Sequence, residues 1–599
     1  MGHFPSSGSG DMISFLVLLG GCFCSVMMIL SPVARADVHY YDFVLKETNL
    51  TRLCLNKTVM TVNDSFPGPV ISVHRGDTAY VNLHNHADFG ITIHWHGVKQ
   101  PRNPWSDGPV YITQCPIEPG KNFTYEIIFT REIGTLWWHA HSDWTRATVH
   151  GAIVILPSEG MGYPFPEPDG EEVVVISSWH KVDIDPDVEE EDTIEDIALP
   201  SSSAYTINGQ PGDFCNCSKE STYHWLVDPG KTYLIHLVNG VMDVEMFFAI
   251  GHHNLTVVGM DGSYVKPLDT SYVMISPGQT MDILVTTNQP AGRYYMAARQ
   301  FDTERPDIQA DTDRQNATAI LQYTGSYPNT SVPYFPAALP TYGDLTAGYS
   351  FRSRIRSLAS KEYPIDVPKN ITTHMYVVAA VDYIYRTNES GTTNVTAASL
   401  NNASWWNPPL DILMAYYRNV SGIYTADFPD KPPNYYNFAA DELPDLITTP
   451  ATKVKVLDYN EEVEIVLQGT DGIKHSTDHP MHLHGYAFYV VGYGHGNFNN
   501  ETDPLGFNLI DPPEQNTVSL PKQGWTAIRF RASNPGVWLW HCHFDKHYTW
   551  GMNTVFIVKN GGTPETSVKG PPAYMPPCKS SALRLQKAGN SISGNTEEE

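Results

Sequence analysis

The stretch NPGVWLWHCHFDKHYTWGM, residues 534–552, contains His541-Cys542-His543. Its apolar, aromatic run before the histidines reads as a buried β-strand, and in a strand alternate side chains point to opposite faces. The two imidazoles then share one face and the thiol takes the other. A metal on the thiolate would be linked, through a few covalent bonds, to metals on the imidazoles. Complementary ligands lie elsewhere in the chain: His94 and His96 in HWHG, His139 and His141 in WWHAHSDW, His479, His482 and His484 in HPMHLHG, and His547 five residues after the cysteine. Ten histidines and one cysteine suffice for four coppers, which points to single-electron oxidation of a donor coupled to reduction of dioxygen.

Working outward, the rest of the chain reads as an all-β protein. Runs such as Thr78–His84 and Val463–Leu467 alternate or are β-branched, bounded by Gly, Pro, Asn and Asp. No long amphipathic helical stretch stands out. With 599 residues, three or four domains are expected. Three segments carry strand-like runs: 37–158 with HWHG and HAH; 159–330 without clustered metal-ligand histidines; and 371–578 with HPMHLHG and HCH. A Pro- and Tyr-rich linker is expected at 331–370 and a disordered tail at 579–599. Ligands at both ends of the chain imply a site between the first and last segments, with the middle one as spacer.

A net charge of −27 argues against nucleic acid or anionic membrane surfaces as partners. Residues 12–30 are almost wholly apolar and precede Ala34-Arg35-Ala36, a small-x-small cleavage site, so 1–36 reads as a signal peptide. Fourteen Asn-x-Ser/Thr sequons follow, from Asn49 to Asn500, the density of a secreted glycoprotein. No membrane association is expected after cleavage. Of eight cysteines, two lie in the leader and Cys542 is the proposed ligand. Cys54, Cys115, Cys215, Cys217 and Cys578 remain, enough for two disulfides and a spare thiol. Cys215-Asn216-Cys217 is too tight to bridge comfortably, so the spare is one of those two.

A thiolate with two imidazoles and a weak axial group is the ligand set of a blue copper site. His479 and His547 are the natural imidazoles, and Met552 can supply the axial thioether. The pairs His94/His96, His139/His141, His482/His484 and His541/His543 are all spaced i, i+2, each presenting two rings on one strand face. Zinc rarely uses so many paired histidines with a single cysteine. Carboxylates are needed to hold rings and move protons. Asp107 is the first candidate and Asp545 the second.

At these residues the chain resembles the multicopper oxidases, and within them the plant laccases. Flanking text agrees: TVNDSFPGPVI (61–71), WSDGPVYITQCPI (105–117), TINGQPGDFCNCS (206–218) and EQNTVSLPKQGWTAIRF (514–530). The resemblance implies three cupredoxin-like Greek-key β-barrel domains and four coppers. It implies a type 1 copper on His479, Cys542 and His547 with Met552 axial, and a type 2 copper on His94 and His482. Two type 3 coppers would sit on His96, His139 and His543 and on His141, His484 and His541. Asp107 matches the acidic residue near the type 2 copper, a proton donor, and His541 and His543 form the electron path from Cys542. The implied disulfides are Cys54–Cys217 and Cys115–Cys578. The implied activity is that of a secreted, monomeric benzenediol:oxygen oxidoreductase of the apoplast, taking electrons from monolignols, flavonoids and other diphenols through an exposed edge of His479 or His547, with a role in lignin polymerisation and degradation. Met552, where relatives more often carry Leu, implies a milder oxidant, and Cys215 and His495 also depart from the usual pattern. The rival readings are an ascorbate or metal-ion oxidase on the same copper sites, and a non-enzymatic cell-wall cupredoxin glycoprotein.

Overall fold

The computed structural model describes residues 36–578 except 143, 185–199, 214–216, 304–315, 328–331, 389–390, 442, 444–446 and 472–476. The expected leader and tail, and Cys215, lie outside the described residues. The strand runs anticipated from periodicity are strands, and helices are few and short, Leu345–Arg352 being eight residues long. Among the described residues no helix is long and apolar enough to cross a membrane.

Six sheets pair into three two-layered units of the all-β, cupredoxin-like kind. The first packs a sheet containing Val38–Arg52 and Thr78–Asn85, paired in parallel, against one containing Ile93–His96, Gly134–Ala140 and His150–Leu156. The second builds on Thr232–Gly240 and Thr280–Thr286. In the third, Glu462–Gly469 runs through an eight-stranded sheet, facing a five-stranded sheet of Val454–Leu457, Asn553–Val558, Gly536–Cys542, His479–Leu483 and Thr517–Leu520. Each unit encloses its own apolar core, built around Phe43, Trp95 and Trp138, around Phe247, Ile283 and Phe301, and around Trp538, Trp540 and Phe556. Burying one such Phe contributes roughly 2–3 kcal/mol. Within the expected linker, the helix Leu345–Arg352 sinks Ala347 and Phe351 into the second core. Two disulfides join distant segments, Cys54–Cys217 and Cys115–Cys578, the latter across a sequence separation of 463.

The seam between the first two units carries a buried polar network. His236 Nδ1 lies 2.7 Å from Thr135 Oγ1 and 3.2 Å from Asp282 Oδ1, and its Nε2 lies 3.4 Å from Glu171 Oε2. Burial disfavours the imidazolium, but hydrogen bonds and charge from Asp282 and Glu171 outweigh it and push the His236 pKa up to about 9. The folded value thus exceeds the unfolded one, near 6.5. The resulting stabilisation, roughly 3 kcal/mol, is fully present below pH 6.5 and fades as pH rises through 9. Thermal unfolding of the wild type is expected to weaken across that window. A His236→Gln variant that shows the same slope would refute the assignment.

Candidate metal centre

Four strands deliver the histidine pairs. Antiparallel pairing sets His94 opposite His139 and, in the third unit, His482 opposite His541. Period-two geometry then turns His94 with His96, and His482 with His484, toward the gap between the first and third units. The rings interleave there: His94 stacks on His484 at 3.9 Å and His96 on His482 at 3.6 Å between centroids. Ligand atoms within 4.8 Å of one another group His94 with His96 and His482; His96 with His139 and His543; His141 with His484 and His541; and His479 with Cys542 and His547. Every sequence-nominated histidine is therefore in one constellation or the other. Met552 is fully buried in the core cluster that holds Cys542.

The outer nitrogens are spent on fixed oxygens. His94 Nδ1 donates to the Asp107 carbonyl at 2.7 Å, His139 Nδ1 to Ala140 at 2.8 Å, His482 Nδ1 to Asn516 at 2.8 Å and His541 Nδ1 to Cys542 at 2.8 Å. His96 Nε2 sits 3.0 Å from Asn516 Oδ1 and 2.9 Å from Thr517 Oγ1. The inner nitrogens are left over: Nε2 of His94, His139, His141, His482 and His543 and Nδ1 of His96 are buried without a hydrogen-bond partner. Buried polar atoms are normally paired, and rings anchored on one side and bare on the other are the signature of metal ligation. Burial also pushes His96, His139, His141, His482, His484, His543 and His547 well below the usual imidazole range, and His479 down to about 4 and His541 to about 3, which favours the neutral ring a metal needs. At Cys542, burial pushes the thiol well above its usual range, so the proton leaves only when a cation replaces it. The sulfur lies 3.8 Å from His479 Nδ1 and 3.6 Å from His547 Nδ1.

Asp107 is fully buried. Its Oδ2 accepts from His484 Nδ1 at 2.9 Å and its Oδ1 lies 3.4 Å from His94 Nδ1. Burial raises its pKa, partly offset by the contact with His94. It caps the short turn Pro104–Ser106, and the next residue fixes its position. Gly108 has φ +105°, and a Cβ there would meet the Ile93 carbonyl at 1.9 Å. Gly108→Ala is expected to cost about 2–4 kcal/mol by pushing the turn off the strand that carries His94. Unfolding midpoints check this, and an unchanged midpoint would refute it. Asp545 reaches the cluster indirectly, through an ion pair with Arg146, whose Nη1 lies 3.2 Å from His543 Nδ1. Both line a cavity of about 20 Å³ beside His139, His141 and Tyr548.

One expectation is corrected. Neither His479 nor His547 offers an exposed edge: they are 0 % and 1 % exposed. Phe544 and Trp550 cover the His547 ring at 5.5 and 5.7 Å. Several supporting residues escaped the sequence reading: Asn516, Thr517, Arg146 and Gly278, whose added Cβ would meet His543 at 2.9 Å and His96 at 3.0 Å. Their only signal was Asn516-Thr517 inside the EQNTVSL text.

Multicopper oxidase family models match residues 44–160, 170–326 and 427–562. The solved structure of Botrytis aclada laccase shares the fold with a TM-score of 0.68 at 24% identity, over 94% of each chain. Fet3p, a multicopper oxidase that functions in iron import, does so with a TM-score of 0.66 at 22% identity, over 92% of this chain and 95% of that one. The chain belongs to the multicopper oxidase family. Within it the similarity runs to plant laccases: 48% identity to Laccase-21 of Oryza sativa subsp. japonica, over 95% of this chain and 100% of that one, and 45% to Laccase-14 of Arabidopsis thaliana, over 92% and 96%. It is accordingly a laccase-type oxidoreductase that uses copper, with phenols as electron donors and dioxygen as acceptor.

Proposed function

We propose that this chain is a secreted, N-glycosylated, monomeric laccase of the cell wall that oxidises monolignols, flavonoids and related diphenols, and so polymerises or turns over lignin. The residues fit four coppers. His479, Cys542 and His547 would hold a type 1 ion, with Met552, buried in the same core cluster, as a weak further ligand, and His94 with His482 a type 2 ion. His96, His139 and His543, and His141, His484 and His541, would hold the type 3 pair. The observation that carries this reading is the set of buried imidazole nitrogens with no partner.

When bound, the coppers supply one-electron oxidation of phenols and four-electron reduction of dioxygen to two waters. The balance closes, because four phenols release four electrons and four protons as they become phenoxyl radicals. The chain's own residues do the rest. Cys542 is bonded through the backbone to His541 and His543, a short covalent route between the two constellations. Phe544 and Trp550 keep water off His547. Asp107 orients His94 and His484 and is the carboxyl group best positioned to hold a proton for reduced oxygen. Asp545, on Arg146, borders a cavity of about 20 Å³, room for one water, and can pass a proton inward.

A metal-ion oxidase would need free carboxylates beside His479. Asp478 is instead bound to Arg352 at 2.8 Å, and the same guanidinium holds Glu245, which favours an organic donor. The test is a visible and EPR spectrum of the secreted, copper-loaded protein, followed by oxygen uptake with syringaldazine, then ascorbate, then ferrous iron. A blue spectrum with phenol-dependent uptake is expected. Uptake with ascorbate or ferrous iron alone would overturn the donor assignment.

A further inference from the structure

All three units and the 331–370 segment meet around a cavity lined by none of the histidines, of about 70 Å³, several times the roughly 10–15 Å³ that one water needs. Its wall carries three cations from the first unit, Arg75, Lys99 and Arg131. Lys99 is paired with Glu514 of the third unit at 3.2 Å. Neither Arg75 nor Arg131 has an ion-pair partner among the described residues. Glu362, exposed on the rim, is the other carboxylate lining the cavity. In a chain of net charge −27, carboxylates are abundant, so two guanidiniums left over at one cavity need an explanation.

A second observation comes from the second unit. Tyr264 lines the same cavity, is only 5 % exposed, and its hydroxyl is buried with no hydrogen-bond partner. A buried hydroxyl without a partner is costly and calls for one. The charges that act on this hydroxyl are the Asp282 carboxylate first, then Tyr363 and Tyr163, with Arg75 the positive one among them. The wall is also held in place beforehand. The buried Glu132 carboxylate accepts from the backbone N–H groups of Lys99, Thr130 and Arg131, each at 2.9 Å, and Leu358 N donates to the Tyr264 carbonyl at 3.1 Å.

We propose that this junction binds a small polyvalent anion, either an inorganic oxyanion or the carboxylate head of a compact polyacid. Arg75 and Arg131 are the charged clamp and the Tyr264 hydroxyl is the buried donor. Planar guanidiniums suit such oxygens, and the limited volume excludes a chain of sugars or a peptide. Because the walls come from every unit, the anion ties them together and stabilises the whole molecule.

The test uses the copper-loaded glycoprotein. Isothermal titration with sulfate, phosphate and citrate, at ionic strength held constant with chloride, is combined with thermal unfolding. Saturable binding is expected, with a midpoint rise of about 2 °C at a hundredfold excess over Kd. The sulfate and phosphate arms separate an inorganic ligand from the carboxylate that citrate represents. Arg75→Gln/Arg131→Gln is expected to weaken binding at least about tenfold and Tyr264→Phe about three- to tenfold, with phenol oxidation unchanged in both. Should the double variant not fold, Arg131→Gln alone, at an exposed side chain, carries the same test. No saturable binding of any of the three anions, or equal affinity in wild type and variants, would overturn the proposal.

Discussion

Cys542→Ser, loaded with copper, is expected to lose its blue colour and at least about a thousandfold of phenol-driven oxygen uptake, while remaining folded. The colour belongs to a thiolate–copper(II) bond, which a serine hydroxyl cannot form. The loss of turnover follows from connectivity. Among the described residues, Cys542 is the one free cysteine, and it stands between the imidazole pair of His541 and His543. The fold survives because the change is nearly isosteric. Leaving a hydroxyl in a fully buried site costs about 1–3 kcal/mol, which a core of this size absorbs. The eight paired histidines do not touch the sulfur, so copper content should fall only by the share bound at Cys542. Metal analysis beside the spectrum separates the two sites. A variant that stayed blue, or that still reduced dioxygen with phenols at near wild-type rate, would dismiss Cys542 as the entry point for electrons.

Asp107→Asn should lower kcat about 10–100-fold with the blue colour and the KM for phenol unchanged. The carboxylate accepts from His484 at one oxygen and lies against His94 with the other. An amide keeps one acceptor and turns a donor toward a ring nitrogen that is itself a donor. His94 stays on the Asp107 backbone carbonyl but now faces a competing donor, and the negative charge that favours proton delivery is removed. The proposed site of phenol oxidation, beside His479 and His547, does not include Asp107, which is why KM should hold. A KM effect without a kcat effect would move Asp107 out of the oxygen-reducing half of the molecule.

Much of this site was legible because a strand enforces a period of two. HWH, HAH, HLH and HCH can each be read as two rings on one face before any coordinates are known. The alternating runs at 78–84 and 463–467 are likewise strands for that reason. What supports the rings was not legible. Asn516, Thr517, Arg146 and Gly278 are of types that carry no metal signature, and they reach the cluster from four separate places in the chain. The same holds for the shielding of His479 and His547. Whether a ring edge meets solvent depends on how Phe544, Trp550 and neighbouring loops fold over it, and no local pattern encodes that. Nor does any spacing announce that Arg75, Arg131 and Tyr264 will share a cavity.

The shared ring stack has a consequence for biosynthesis. His141 and His541 are some four hundred residues apart, and at about 5–20 residues per second a ribosome needs roughly 20–80 s to travel between them. Through that interval the first unit exists with its four imidazoles and no counterpart. No complete oxygen-reducing pocket can form on the nascent chain, however much metal is at hand. Metal loading of the proposed shared site would therefore wait for the arrival of the last unit, and Cys115 finds its partner Cys578 only after every proposed ligand has been made. The covalent clasp closes on a site whose parts are all present.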